Sequence, residues 1–305
     1  MEKSSRAFSF CMYNRRVDFI RRHPWVPAAL LLALVCLGVW LVVLGQPKRE
    51  GLLVFALLNI GQGDALFIQG PTGMQVLVDA GPNTGAILRE LPKVMPFGDR
   101  TLDAAVETHP DADHMGGFLD VFERYKVGAF ITPGIIKHNT TTDALDRAVE
   151  RERALIFVAR RGMVVDLGGG AYLEVLYPDT DVSGYTGKTN DGSIVARLVY
   201  GQTSALLTAD AAFKTEDHLL AVASSSLRAD ILKVGHHGSK TSTGAAFIQA
   251  VHPRVALISV GAGNMYGHPT EEVLGRLSAA GVPVMRTDKR GTIICTSDAI
   301  AFTCK

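Results

Sequence analysis

Thr108-His109-Pro110-Asp111-Ala112-Asp113-His114-Met115-Gly116-Gly117 places two histidines and two aspartates within six residues. All four are ligand types for a divalent cation. The stretch follows an apolar run, residues 102–106, that reads as a buried strand. On extended chain alternate residues point the same way, so His109, Asp111 and Asp113 converge from one side. His114 enters from the next turn. Pro110 and the two glycines fix the loop and let the backbone pass close to an ion. A polar loop that merely starts a helix needs only one Asp as its cap, not four ligand-type side chains. A strand ending in this cluster predicts metal-assisted hydrolysis.

Working outward, residues 52–60, 65–69 and 75–79 read as consecutive strands separated by Gly-rich turns. Residues 84–94 and 117–125 read as helices, and 129–132 as a strand. Residues 142–160 read as one long amphipathic helix with a Thr-Asp start. The second half repeats this grammar. Strands are expected at 163–166, 171–177, 194–200, 205–208, 231–234, 255–260, 282–286, 292–296 and 300–303. Helices are expected at 213–226, 244–251 and 271–280. Strand-rich halves with helices after each set imply two facing sheets, each covered outside by helices.

Further candidate ligands fall at later strand ends. Asp210 closes the run Ala205-Leu206-Leu207-Thr208-Ala209-Asp210, where it is placed either to bridge two metals or to cap the helix that follows. His236 and His237 follow Ile231-Leu232-Lys233-Val234-Gly235, ahead of Gly238-Ser239-Lys240. His268 sits in Tyr266-Gly267-His268-Pro269 before a helix. His23, His138, His218 and His252 lack such a context.

Taken together, H-x-D-x-D-H-x-G-G, a strand ending in T-A-D, G-H-H-G-S and Y-G-H-P resemble the metallo-β-lactamase superfamily. The set is most similar to the hydrolase-like domain of ComEC-type competence (DNA-uptake) proteins. Asn59-Ile60-Gly61-Gln62-Gly63-Asp64-Ala65, Leu77-Val78-Asp79-Ala80-Gly81 and Asn190-Asp191-Gly192-Ser193 resemble that group's other motifs. The resemblance covers roughly residues 52–300 and implies an α/β fold, a four-layer αββα sandwich with a metal cleft at one sheet edge. It implies two divalent ions, zinc or manganese. One would take His109 and Asp111. The other would take Asp113, His114 and His268, with Asp210 bridging. His236 or His237 would be an extra ligand or a proton donor to the leaving group, and Asp113, His236 and His237 would carry the catalytic work. Asp64 and Asp79 would support the ligands. Asp111 stands where most of the superfamily has His, and Asn190 lies near where another ligand His is usual. The first metal position is therefore poor in nitrogen and weak, and manganese or magnesium competes better there.

Residues 25–45 carry no charge. At about 1.5 Å per residue they span the roughly 30 Å hydrocarbon core. Arg15, Arg16, Arg21 and Arg22 precede them, against Lys48 and Arg49 after them. The positive-inside rule then predicts a cytoplasmic basic segment (1–24), a single-pass cell-membrane anchor (25–45), a linker (46–51) and an outer metallo-β-lactamase-like domain (52–305). A cleaved signal peptide is the alternative, against which stand the length of the run and the lack of a clear small-x-small site. Cys295 and Cys304, on what read as two paired strands, either form a disulfide or remain buried thiols. Spacing alone does not choose between them.

The chain has 305 residues, 47% hydrophobic and 20% charged, which excludes a disordered or fibrous protein. Residues 1–46 hold six of the 31 Lys and Arg and two of the 30 Asp and Glu, leaving 25 basic against 28 acidic, a balance of −3. A domain that grips nucleic acid broadly would be basic, so phosphate affinity must be local. Asp111, Asp113 and Asp210 bring three negative charges. One divalent ion leaves −1, which repels a phosphate, and two leave +1, which attracts it. Phosphodiester hydrolysis therefore predicts two metals. The sequence reading is a membrane-anchored phosphodiesterase or nuclease related to DNA uptake. The alternatives are a hydrolase of another ester or lactam, and a non-catalytic domain that binds DNA or a partner.

Overall fold

The computed structural model of the protein describes His23 and residues 25–44, 51–185 and 187–305. The chain divides into two compact units, residues 1–48 and 49–305. The segments expected at 1–24 and 46–51 lie outside the described residues, save His23 and Gly51. In the first unit, helix α1 (Val26–Leu44) is 19 residues long without a charged side chain. Its side chains are described as far as Leu41, and there its leucines, Val35 and Val39 are exposed while Val26 is half-buried. No helix among the described residues is long and apolar enough to cross a membrane.

The second unit is built on alternation. In β1 (Leu53–Leu57) side chains point by turns to opposite faces, and both faces are buried. Leu53, Phe55 and Leu57 meet Leu173, Leu198, Leu207 and Ile231 between two sheets. Ala56 and Leu58 face outward with Phe67 and Leu77, against Leu91, Phe118 and Val121. Phe118 packs edge-on to Phe130, ring centroids 5.7 Å apart. Burying each such side chain stabilises the fold by roughly 1.5–3 kcal/mol. On the other sheet, Leu206 and Leu232 pack under Phe247 and Val251, and Ile258 under Val273 and Leu277. The layers are therefore helix, sheet, sheet, helix, as expected.

Among the described residues the first sheet has eight strands and the second seven. In the first, β1 pairs antiparallel with β2 (Ala65–Gln69), which pairs with β3 (Gln75–Ala80). Parallel strands β4 (Thr101–Val106), β5 (Lys126–Thr132) and β6 (Leu155–Val158) follow. In the second, the antiparallel run β7 (Val164–Gly168), β8 (Ala171–Tyr177), β9 (Val195–Tyr200) and β10 (Thr203–Leu207) leads into β11 (Ile231–Lys233), which runs parallel to β10, as β12 (Val255–Ile258) does to its neighbours. Parallel strands aim their carboxyl ends the same way, and a crevice outside those ends is where open α/β sheets take ligands.

Two expectations are settled differently or more finely. The long helix over 142–160 is two elements, a helix Thr140–Glu152 and strand β6. The helix begins two residues early because Asn139 accepts from Thr141 and Thr142 N–H in a capping box. It stops where Arg153 turns left-handed (φ 60°), and the run Leu155-Ile156-Phe157-Val158 pairs with β5. At the other edge, Cys295 and Cys304 lie opposite each other in register and form a disulfide.

Candidate metal centre

Four strand ends supply the centre. Asp79 closes β3, His109 follows β4, Asp210 follows β10, and His236 and His237 follow β11. Asp79, Ala209, His236 and His237 have positive φ (55°, 44°, 49° and 54°). For residues with a Cβ this costs on the order of 1–3 kcal/mol each, so the surrounding structure must hold these turns. Gly63 contributes to that hold. A Cβ there would lie 2.1 Å from the Asp113 carbonyl oxygen, while the Asp64 N–H donates to that oxygen at 3.1 Å. Gly117 likewise passes so close to Ala80 that a Cβ would lie 2.1 Å from its carbonyl oxygen. The two glycines in these motifs let separate loops touch.

Three buried histidines are oriented from behind. Thr108 donates its N–H and its hydroxyl to Asp79 (2.8 and 2.7 Å). With that hydroxyl proton committed, its oxygen accepts from His109 Nδ1 at 3.1 Å. His114 Nδ1 lies 2.8 Å from Asp79 Oδ2, and His237 Nδ1 3.1 Å from the Ser259 carbonyl oxygen. Each Nε2 thereby points inward, where a metal could replace the proton that the carboxylates otherwise hold on His114 and His237. His114 Nε2 is 3.2 Å from Asp210 Oδ1. His237 Nε2 is 3.4 Å from Asp113 Oδ2 and 3.6 Å from Asp210 Oδ1. The Nε2 atoms of His109, His114 and His237 and Asp210 Oδ1 are buried without a hydrogen-bond partner. Converging ligand atoms left without hydrogen-bond partners fit a cation. Among the described residues four overlapping groups result: His109, His114 and Asp210 form one, Asp113, His114 and His237 another, and the remaining two bring in the buried Asp64 behind His114 and His237.

The charges give the same answer. Burial drives His109 down to about 4, with the neighbouring His114 adding to it. Burial also disfavours charge on His114 and His237, but the carboxylates win. Asp210 and Asp79 hold His114 well above the ordinary imidazole value, and Asp210 and Asp64 hold His237 at about 9. Burial opposes ionisation of Asp113 and Asp210 too, and the facing imidazoles keep both well below the usual carboxylate range. The cluster demands positive charge.

Of the residues singled out in the sequence, His109, Asp113, His114, Asp210 and His237 come together. Asp111 and His268 do not join them. Asp111 Oδ1 is bound at 2.7 Å by both Lys137 Nζ and Thr189 Oγ1, and its Oδ2 stays 3.7 Å from His109 Nε2. His268 stands on the cleft wall, its ring 5.8 Å from that of His236, and belongs to none of these groups. His237, rather than His268, is the histidine that lies beside Asp113 and His114. His236 also lines the cleft, with Nε2 3.6 Å from Asp210 Oδ2. Asn190 donates weakly to Asp210 (3.3 Å). Sequence reasoning passed over Lys233, which is buried and ion-paired with the buried Asp64. A lysine inside Ile231-Leu232-Lys233-Val234 was the available signal. Five carboxylates (Asp64, Asp79, Asp111, Asp113, Asp210) against Lys137 and Lys233 leave three negative charges, the expected total with different members.

This sandwich and its ligand-bearing strand ends are those of a metallo-hydrolase. The chain belongs to the metallo-beta-lactamase superfamily, whose family model matches residues 58–262. It is 32% identical over 253 residues to ComE operon protein 3 of Bacillus subtilis (strain 168), covering 78% of this chain and 32% of that protein. It is 30% identical over 281 residues to Competence protein ComA of Neisseria gonorrhoeae, covering 88% and 37%. The chain thus spans about a third of the length of these relatives. Among solved structures it resembles Igni18, a metallo hydrolase from Ignicoccus hospitalis, with a TM-score of 0.50 and 15% identity over 79% of this chain and 98% of that one. This likeness concerns the fold.

Proposed function

We propose that the protein hydrolyses phosphodiesters with two divalent metal ions, and that its substrate is DNA handled during uptake. The observation that carries this is the buried convergence of three Nε2 atoms and the Asp210 carboxylate, none of the three Nε2 atoms nor Asp210 Oδ1 having a hydrogen-bond partner. His109 would serve one ion and Asp113, His114 and His237 the other, with Asp210 between them. When bound, the metals supply Lewis acidity toward a phosphoryl oxygen and a nucleophile at neutral pH. Asp79 and the Ser259 carbonyl keep His114 and His237 in the tautomer a ligand needs. His236, which lines the cleft with Nε2 3.6 Å from Asp210 Oδ2, would be the proton donor to a leaving oxygen. With three negative charges in the centre, one ion leaves −1 and two leave +1, so binding of a phosphate requires both. Zinc and manganese both suit this mixed nitrogen and oxygen set. The competence proteins it resembles support DNA as the substrate.

We also propose that residues 25–45 anchor the domain to the cell membrane with the N-terminus in the cytoplasm. The uncharged 25–45 run, its upstream arginines and the Cys295–Cys304 disulfide support this. A second reading, a domain that binds without turnover, is favoured by the engagement of Asp111 with Lys137, which thins the first metal position. The deciding experiment incubates the purified full chain with manganese or zinc and single-stranded DNA. Hydrolysis that Asp113→Ala abolishes supports the enzyme. Intact DNA with the wild type, indistinguishable from the variant, sinks it.

A further inference from the structure

The loop after β12 carries an aromatic side chain in a place that folding does not explain. Residues 261–268 are stapled by one side chain. Asn264 Nδ2 donates to the carbonyl oxygens of Gly261 (3.0 Å) and His268 (2.7 Å). Asn264 Oδ1 accepts from Tyr266 N–H (3.2 Å) and His268 N–H (3.0 Å). At the tip, Met265 is 89% and Tyr266 62% exposed. A slack loop would fold its ring down onto apolar surface, as the hydrophobic effect favours. This loop instead holds the ring out.

The ring is also held in a defined posture. It stacks on His268, centroids 5.8 Å apart and planes 26° from parallel. His268 in turn meets His236, whose Nε2 is 3.6 Å from Asp210. Tyr266 thus stands in the wall of the same cleft of about 520 Å³ that holds Asp113, Asp210 and His237. Lys188 lines this cleft too, and is exposed. A rigid aromatic face beside a cation and a phosphate-cleaving centre has the parts of a nucleotide site: one group for the backbone, one for the base. Bases in a duplex are already stacked on their neighbours, so this face is open only to an unpaired base.

We propose that Tyr266 is the stacking platform for an unpaired base of a single-stranded nucleic acid, next to the phosphodiester being cut. The proposal rests on the phosphodiesterase reading for its reaction but not for its binding. Two measurements separate the two. The first is binding of a fluorescently labelled phosphorothioate oligothymidylate, whose backbone resists hydrolysis, to the full chain with manganese, read by anisotropy. Tyr266→Ala weakens it about tenfold, while Tyr266→Phe and Tyr266→Trp bind as the wild type does, because stacking needs the ring and not the hydroxyl. The second is hydrolysis with manganese. The wild type has a KM about tenfold lower for oligothymidylate than for an oligomer of abasic residues, and Tyr266→Ala loses that preference. Binding unaffected by Tyr266→Ala, absent in the wild type, or equally impaired by Tyr266→Phe, overturns the platform. Tyrosine-dependent binding with no hydrolysis leaves the platform standing and overturns the reaction.

Discussion

The buried Lys233–Asp64 pair offers a sharp test of how the centre is supported. Both residues are 1% exposed, and Asp64 Oδ1 lies 3.3 Å from His237 Nδ1. Burial alone would raise Asp64, but the Lys233 ammonium outweighs it, with His237 adding, and holds its carboxyl below the usual range. Lys233→Met keeps the shape of the stem and removes the charge. Breaking a buried pair from one side costs about 3–5 kcal/mol, and His237 remains as a partner, which points to about 3 kcal/mol. For a domain this size each kcal/mol lowers Tm by roughly 2–4 °C, so the expected drop is roughly 6–12 °C. The assay is thermal unfolding of the full chain followed by far-UV circular dichroism. The double variant Asp64→Leu, Lys233→Met removes both charges and should recover part of the loss, since the stranded carboxylate and not the missing lysine is the cause. A Tm for Lys233→Met within about 2 °C of the wild type would refute the reasoning.

Other outcomes follow from the same geometry. Asp79→Ala unfastens His114 and should weaken metal affinity roughly 10–100-fold in a chelator competition, with no change expected if Asp79 only caps Thr108. Burial raises Glu107 from 4.5 to about 7, so its share of stability is present below pH 4.5 and lost as pH rises through 7. Glu107→Gln should therefore gain on the wild type by up to about 3 kcal/mol between pH 4 and 8 in urea unfolding, and a gap that ignores pH contradicts this. Lys137→Met takes the centre from three negative charges to four. It should raise KM for a phosphodiester several-fold while moving stability by under about 1 kcal/mol, because the Lys137–Asp111 pair is partly exposed.

The sandwich was legible because short apolar runs, many of them buried on both faces, stand between turns rich in glycine. The exception was residues 142–160, where an amphipathic helix runs into Leu155-Ile156-Phe157-Val158. Four consecutive apolar residues suit either element, and the choice was made by Arg153 turning left-handed, which no pattern announces. The centre was legible in kind. His109, Asp113, His114 and Asp210 stand where strand ends put them. The choice of His237 over His268 depends on left-handed turns at His236 and His237, and these are set by tertiary contacts that spacing does not encode. The pairing of Asp111 with Lys137 joins residues 26 apart, again beyond local pattern. Lys233 was visible as a charge inside an apolar strand, and its meaning appeared only with Asp64 beside it.

The central claim is that two ions are held by His109, Asp113, His114, Asp210 and His237, with His268 outside the set. Metal content of the purified full chain tests it most directly, measured for the wild type, His237→Ala and His268→Ala after equilibration with manganese or zinc. The account predicts about two ions per chain for the wild type and for His268→Ala, and a loss of about one for His237→Ala. Fewer than one ion in the wild type, or an equal loss in His268→Ala, would contradict it.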